Sequence, residues 1–293
     1  MPVQNKTISR TTDVKTLLLQ YTREHDAVSY KRTEYAVKAL LPFFNGKHVS
    51  ELNIQQCRAY GIFREMQNVS YSTIARELTT LRAAMNHGVK WGRIGKHDLP
   101  VLEIPKNLPK RDIWLFKDEV KTLLDECQSM SLYAFTRLCY ETASRKKAIE
   151  QLEWSQVDFG RGTINLSKPG ERVTRKRRPT VPIGHLHKLL CDLYENRENN
   201  YVLGSNKNMS YEFEKLCERC DLLYTRQRDG RPGEKKVTPH VLRHSRATHL
   251  LEDGVSIYAV AKLLGDKPTT VERTYGHISM SSLDDELKKS SFI

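Results

Sequence analysis

Two residues near the end of the chain, His240 and Arg243, have types and spacing suited to phosphate chemistry. They lie three positions apart in TPHVLRHSRATHL, residues 238–250, and a tyrosine, Tyr275, follows in TYGHIS, residues 274–279. On a helix, a spacing of three places both side chains on one side, within reach of the same small group. A guanidinium offers a planar fork of donors to a phosphate, and an imidazole exchanges a proton near neutral pH. An HxxR spacing alone is more typical of a surface pair, but here an apolar stripe leaves the polar face free to line a cleft.

A second concentration of charge lies in KPGERVTRKRRP, residues 168–179, which holds six basic residues and one acidic residue. The β-prone runs GTINLS, residues 162–167, and RPTVPI, residues 178–183, predict a hairpin that presents this segment as a loop. Charges at this density repel one another unless phosphates or solvent screen them. We expect the loop to bind DNA, and a solvated or nuclear-localisation-like tract is the alternative. Its basic residues are Lys168, Arg172, Arg175, Lys176, Arg177 and Arg178.

The overall charge of the chain is consistent with a polyanionic partner. The 293 residues include 48 Lys and Arg against 35 Asp and Glu, a formal net charge of +13. This excess favours nucleic acid as the partner, although a solvated basic surface would have the same composition. No apolar N-terminal region and no run of about 18 apolar residues is readable, so we expect a cytoplasmic protein without a membrane partner.

The six cysteines are predicted to be reduced thiols, because nothing in the sequence indicates secretion. Cys217 and Cys220 have a CxxC spacing, which without a second pair is a weak indication of zinc or redox chemistry. Both lie on one helical face with Phe213 and Leu216, so we interpret them as core residues. We therefore expect no metal site.

Helical periodicity dominates the elements that must position these groups. Residues 12–95 show four amphipathic stripes, the clearest over residues 74–85, whose polar face carries Arg76 and Arg82 as expected DNA contacts. Residues 95–114 contain three prolines and no helical period, which is typical of a linker. The sequence thus predicts a mainly α protein with a small β-sheet, with a helical domain over 1–98, a linker over 99–113 and a second domain over 114–293.

The ordered motifs of the second half resemble those of the tyrosine recombinases, the phage integrase family. HVLRH and ATHL are similar to the family's HxLRH and ATHL runs, and LLG followed by TYGH is similar to its closing motifs. Upstream, YETASRKKAIEQLEWSQVDF resembles the first arginine box, with Arg145 at the arginine position. The resemblance covers nearly the whole chain. It implies a helical core-binding (SAM-like) N-terminal domain for DNA and a mixed α+β catalytic domain over 114–293.

This resemblance implies a site-specific recombinase, or integrase, that integrates or excises a phage or mobile element. In such enzymes a tyrosine attacks a DNA phosphodiester, giving a 3'-phosphotyrosine and a free 5'-hydroxyl, and a second strand's hydroxyl reverses the step. Tyr275 would be the nucleophile. Arg145 and Arg243 would stabilise the charged transition state, and His240 would ease loss of the tyrosine proton. Neither a metal nor another cofactor is implied.

A hairpin lysine would protonate the leaving 5'-oxygen in such an enzyme. The context KRRPTVP favours Lys176, and SKPG indicates Lys168 as the alternative. Two positions depart from the family pattern: Ala148 stands where many relatives have an acidic residue, and Asp266 where the family has His or Trp. The Asp266 carboxylate would repel a phosphate unless it is protonated or turned toward an arginine. Either the enzyme is slowed, or His277 takes over part of the role.

The resemblance also implies partners. These are double-stranded DNA with an inverted-repeat core site, a homotetramer on that DNA, and an accessory DNA-bending or directionality factor, in a bacterial or phage-encoded, nucleoid-associated setting. Leu283 and Leu287, four apart in the last segment, would pack on a neighbouring protomer, with a frayed polar tail as the alternative. Two other functions stay open: a type IB topoisomerase-like strand transferase, and a catalytically weakened, integrase-derived DNA-binding protein marked by Asp266.

Overall fold

A computed structural model describes residues 12–24, 30–106, 113–168, 170, 178–222 and 236–276. The chain divides into two compact units, Met1–Lys110 and Arg111–Ile293. The division falls inside the segment 99–113, where the helical periodicity of the sequence is interrupted. Each unit buries a hydrophobic core of its own.

The first unit contains the four predicted helices, α1 (Val14–Glu24), α2 (Tyr30–Phe44), α3 (Ile54–Glu65) and α4 (Tyr71–Lys90). The apolar stripe of α4 is buried because spacings of three and four keep its members on one face. Arg76 and Arg82 lie on the exposed side of the same helix. The sequence pattern therefore predicts both faces of α4 correctly.

One buried carboxylate, Glu77, connects α4 to α3. It accepts a hydrogen bond from the Tyr60 hydroxyl at 2.7 Å and two from the Arg64 guanidinium at 2.9 and 3.0 Å. Burial and the Glu77 carboxylate both raise the pKa of Tyr60, so its hydroxyl stays protonated and donates. The contact stabilises the unit because a buried charge is tolerated only when it is paired.

The first part of the segment predicted as a linker packs onto this unit. Leu99, Leu102 and Ile104 are partly buried against the core of the four helices. Proline breaks the helical period there, but extended backbone still allows apolar side chains to reach the core.

The described part of the second unit is mainly helical around a small sheet. Residues 268–276 are also helical. The other helices are α5 (Lys117–Asp125), α6 (Met130–Glu141), α7 (Lys146–Glu150), α8 (His187–Glu195), α9 (Ser210–Arg219), α10 (Pro239–Glu252) and α11 (Ile257–Leu264).

The sheet is antiparallel, in the order β1 (Val157–Asp158), β2 (Thr163–Asn165), β3 (Thr180–Pro182). The predicted hairpin corresponds to β2 and β3, in which Ile164 pairs with Val181 and both are buried. The strand β1 is not predictable from the sequence, because two residues are too few to show an alternating pattern.

Two clusters of buried side chains form the interior of the second unit. The larger joins α6 to the sheet, α8, α9 and the start of α10. The smaller joins the turn after α6 to α10, α11 and the residues leading to Tyr275. Because α10 contributes to both clusters, its position is fixed from two sides.

The structure places Cys217 in the core and Cys220 beside it, as the helical spacing predicts. All six cysteines are free thiols. Cys217 is completely buried, and that burial raises its pKa to about 12, while Cys220 packs at the edge of the larger cluster. Among the described residues, no three His, Cys, Asp or Glu side chains are grouped as metal ligands. Over the same ranges, every helix is too short or too polar to span a bilayer.

Candidate active site

Helix α10 presents His240 and Arg243. It begins at Pro239, whose fixed φ and missing N–H suit the first position of a helix. Arg243 is only 4% exposed. Its Nη1 donates to the carbonyl of Ala143 at 2.7 Å, and its Nη2 donates to the carbonyl of Leu264 at 2.9 Å. Both carbonyls lie at the ends of helices, where backbone acceptors lack helical partners, so Arg243 ties α6 and α11 to α10.

The turn between α6 and α7 positions the other arginine of the site. Ala143 has a φ of 49°, a left-handed conformation that costs a non-glycine residue about 1–2 kcal/mol. The surrounding cluster holds it there, completely buried, with its carbonyl bonded to Arg243. Arg145 follows as the residue flanking the start of α7, and its side chain is 28% exposed. Ala148, the position that departs from the family pattern, is buried in α7.

Asp266 lies between the two arginines. Its Oδ1 accepts a hydrogen bond from Arg145 Nη2 at 3.2 Å, and its Oδ2 accepts one from Arg243 Nη2 at 2.5 Å. Gly265, with a φ of 65°, ends α11 in a left-handed turn that brings Asp266 back to the site. The carboxylate is thus turned toward arginine, one of the two conditions under which it is compatible with a phosphate.

The two arginines carry more positive charge than Asp266 neutralises. Burial lowers the pKa of Arg243, the neighbouring charge of Arg145 lowers it further, and the Asp266 carboxylate acts in the opposite direction. Two guanidiniums and one carboxylate sum to one positive charge, so a second anion would be attracted here. Guanidinium forks match the geometry of phosphate oxygens.

Tyr275 reaches the same side of α10 from the helical residues 268–276. The residue is 8% exposed and packs in the smaller buried cluster. Its hydroxyl lies 2.6 Å from Nδ1 of His244, which directly follows Arg243. The His244 ring meets the ring of His240 edge to face, with centroids 4.8 Å apart.

Sequence reasoning missed His244. It selected His240, which is exposed, whereas the structure places the half-buried His244 against the tyrosine hydroxyl. The sequence did contain a signal, because His240 and His244 are four residues apart and so share a helical face. The sequence does not indicate which of the two histidines contacts the Tyr275 hydroxyl.

The hairpin residues are described only in part. Lys168 lies three residues after the end of β2 and is half-buried. The backbone carbonyl of Arg178 accepts a hydrogen bond from the Ser167 hydroxyl, 2.7 Å away. The preferred lysine, Lys176, lies outside the described residues, as does His277. The same is true of Arg172, Arg175 and Arg177.

Comparison with solved structures finds the same fold in two integrases that were solved with DNA. The Tn1549 transposon integrase in complex with transposon right end DNA matches with a TM-score of 0.76 at 16% identity, covering 95% of this chain and 99% of that chain. A lambda integrase dimer bound to a COC' core site matches with a TM-score of 0.67 at 17% identity, covering 91% and 78%. At these identities the likeness shows a shared fold.

Sequence comparison gives the family. The profile of the phage integrase family matches residues 114–282. Tyrosine recombinase XerC of Halalkalibacterium halodurans is 30% identical over 236 residues, which is 75% of each chain. XerC of Bacillus pumilus is 23% identical over 281 residues, 90% of each chain. The chain belongs to the phage integrase family, and it is a site-specific tyrosine recombinase, an enzyme that transfers DNA strands.

Proposed function

We propose that the chain breaks and rejoins DNA with Tyr275 as its nucleophile. The phenolic oxygen attacks phosphorus, the bond from phosphorus to the 5'-oxygen breaks, and a 3'-phosphotyrosine and a 5'-hydroxyl result. The hydroxyl of a second strand then attacks the phosphotyrosine and releases the tyrosine. The observation that carries the proposal is the convergence on α10 of Arg145, Arg243 and Tyr275, which are far apart in sequence.

The two arginines stabilise the transition state. Negative charge grows on the non-bridging oxygens as phosphorus becomes pentacoordinate, and catalysis then depends on positioned cations. Arg243 is held by two backbone carbonyls, so its fork is oriented before DNA binds. Arg145 lies on the other side of the Asp266 carboxylate, and its guanidinium and that of Arg243 together form a clamp for a phosphate, the arginine clamp.

Asp266 occupies this clamp in the free enzyme, and the scissile phosphate takes its place. The carboxylate already binds one amino group of each guanidinium, the groups that a phosphate would use. Asp266 is 29% exposed at its side chain, so it has room to turn away. Recombination is thus slower than with a neutral residue at this position, or His277 takes over part of the role.

A lysine of the hairpin donates a proton to the leaving 5'-oxygen. We assign this role to Lys176, with Lys168 as the alternative. The β2 and β3 strands are paired through Asn165 and Thr180, which anchors both ends of the loop that carries these lysines.

The substrate is double-stranded DNA with an inverted-repeat core site, on which four copies assemble. The helical first unit binds the core site, with contacts from Arg76 and Arg82, while the hairpin contributes Arg172, Arg175, Arg177 and Arg178. Support comes from the relatives of the same fold, which include a lambda integrase tetramer bound to a Holliday junction (TM-score 0.67, 16% identity, covering 94% of this chain and 82% of that chain).

An apolar groove supports the assembly. It has a volume of about 410 Å³ and lies between β3 and the helices α10 and α11. Its partly exposed apolar lining includes Leu250, Val255 and Leu263. We assign it as the receptor for Leu283 and Leu287 of a neighbouring copy, since two leucines four apart present one apolar edge.

The test is a covalent trap. A core site is first selected by binding from a pool of randomised inverted-repeat duplexes, then nicked near the cleavage position so that the released fragment diffuses away. Wild type is compared with Tyr275→Phe and with Tyr258→Phe, a control at a tyrosine that is 76% exposed on α11. We expect a protein–DNA band on a denaturing gel for wild type and the control and none for Tyr275→Phe.

Other outcomes separate the alternatives. No band for wild type, with binding still visible on a native gel, would identify a DNA-binding protein without strand transfer. Relaxation of supercoiled plasmid that lacks the selected site would identify a topoisomerase. A band that persists in Tyr275→Phe would assign the nucleophile elsewhere.

A further inference from the structure

We infer that His244 is the base that takes the proton of Tyr275. The inference rests on the proposed function, because it concerns the same attacking oxygen. Its starting point is a direct contact: the Tyr275 hydroxyl lies 2.6 Å from His244 Nδ1. This is within the distance at which a general base can take a proton without an intervening water.

The geometry gives the imidazole a defined orientation. His244 directly follows Arg243, whose guanidinium is bonded to the Ala143 and Leu264 carbonyls. Next to it, Ser245 accepts a hydrogen bond from the Leu115 N–H at 2.8 Å and donates one to the Val241 carbonyl at 2.9 Å. The backbone on both sides of His244 is therefore immobilised, and a base on a rigid helix holds its position relative to the reacting atom.

The proton balance of the step is complete within this pair. A phenol has an ordinary pKa near 10, so the tyrosine starts the reaction protonated at neutral pH. With its proton on Nε2, neutral His244 accepts the hydrogen bond at Nδ1. As the O–P bond forms, the O–H bond breaks, an N–H bond forms at Nδ1, and the electron pair of the O–H bond stays on the attacking oxygen. The imidazolium returns this proton when the second strand releases the tyrosine.

The position of the His244 ring favours this assignment. It lies beside the ring of Tyr275, with centroids 5.8 Å apart. His240 touches the other side of the His244 ring, with centroids 4.8 Å apart, and is itself exposed. His244 therefore contacts both the Tyr275 hydroxyl and His240, and it is positioned to take the tyrosine proton while the exposed His240 can reach the phosphate.

The test separates proton transfer from positioning. His244→Asn keeps an acceptor near the place of Nδ1 but cannot take a proton, and His240→Asn is the matched control on the same helix face. Formation of the covalent complex is timed on the trap substrate, with natural tyrosine and with ring-fluorinated tyrosine at position 275, whose phenol is more acidic. We expect His244→Asn to slow the step by about 10²–10⁴-fold and fluorination to restore most of the rate.

The control gives the opposite pattern. His240→Asn slows the step as well, but fluorination does not restore it, because the phosphate contact is lost and not the base. Thermal unfolding of each variant shows whether it is folded, and His244→Gln replaces His244→Asn if the latter unfolds. Wild-type speed in the folded His244 variant, or rescue by fluorination in His240→Asn alone, would overturn the inference. In either case the covalent complex still forms through Tyr275, so these results would refute the role of His244 without refuting the proposed function.

Discussion

Replacing Asp266 with asparagine should destabilise the free enzyme and accelerate DNA cleavage. The asparagine side chain is isosteric but uncharged, so the ion pairs at 3.2 Å to Arg145 and 2.5 Å to Arg243 are lost. Its single amide oxygen can accept a hydrogen bond from one of the two arginines, and its NH2 group cannot accept from the other. Breaking a fully buried ion pair costs about 3–5 kcal/mol. Here the carboxylate is 29% exposed and Arg243 keeps its two carbonyl partners, so we expect a loss of about 1–2 kcal/mol.

The effect on cleavage has the opposite sign. With the carboxylate gone, the charge of the three-residue site rises from +1 to +2, and the phosphate no longer competes for the guanidiniums. A carboxylate and a phosphate about 5 Å apart repel by about 3 kcal/mol at an effective dielectric constant of about 20. Because the carboxylate can turn toward solvent, we expect about half of this gain, or roughly tenfold faster formation of the covalent complex.

Both quantities are measurable on one preparation. Thermal unfolding should give a melting temperature lower by about 2–8 °C, the shift expected for a unit of this size, and the trap substrate gives the cleavage rate. Asp253→Asn is the control, since that exposed carboxylate pairs with Lys117 instead. Slower cleavage by Asp266→Asn would refute the reasoning, because it would mean that the carboxylate assists the arginines. An unchanged melting temperature would contradict the contacts themselves.

Three further results are expected. Burial lowers the pKa of His249 below its ordinary 6.5, so near that pH the unfolded chain binds a proton more readily than the folded unit does. The free energy of unfolding should therefore fall as the pH drops through 6.5, by up to about 1.4 kcal/mol per pH unit. In urea unfolding, His249→Gln should make this dependence on pH weaker. Glu77→Ala should destabilise the first unit by about 3 kcal/mol, because it leaves the charge of Arg64 without its carboxylate partner at a side chain that is only 16% exposed. A loss of unfolding free energy below about 1 kcal/mol in denaturant unfolding would contradict the pairing. Lys176→Ala should block cleavage of a normal phosphodiester but not of a 5'-bridging phosphorothiolate, whose sulfur leaving group needs no proton. If Lys168→Ala instead shows this loss and this rescue, Lys168 is the proton donor.

The sequence alone predicts those features that depend on residues close together in the chain. Spacings of three and four specify which face of α4 is buried and where Arg76 and Arg82 lie, because helix geometry depends only on near neighbours. The ordered motifs also gave the family, because each carries its residue types in a fixed local context.

Short or mixed segments were less readable. The strand Val157–Asp158 has only two residues, and its pairing with β2 exists only because Val157 meets Ile164 across the turn. Likewise, the sequence predicts a linker after residue 98, but the apolar side chains at the start of this segment pack against the core of the first unit. Burial of this kind depends on surfaces that form elsewhere in the chain.

The chemistry of the site was decided by tertiary structure. The sequence supplied Asp266 and predicted that its charge needs a partner, but only the left-handed turn at Gly265 places it between Arg145 and Arg243. The sequence also offered two histidines one helical turn apart, and only the return of the chain through residues 268–276 brings the Tyr275 hydroxyl to His244. A helix fixes relations between residues three or four apart, whereas contacts over longer separations follow from the packing of whole elements, which no local pattern encodes.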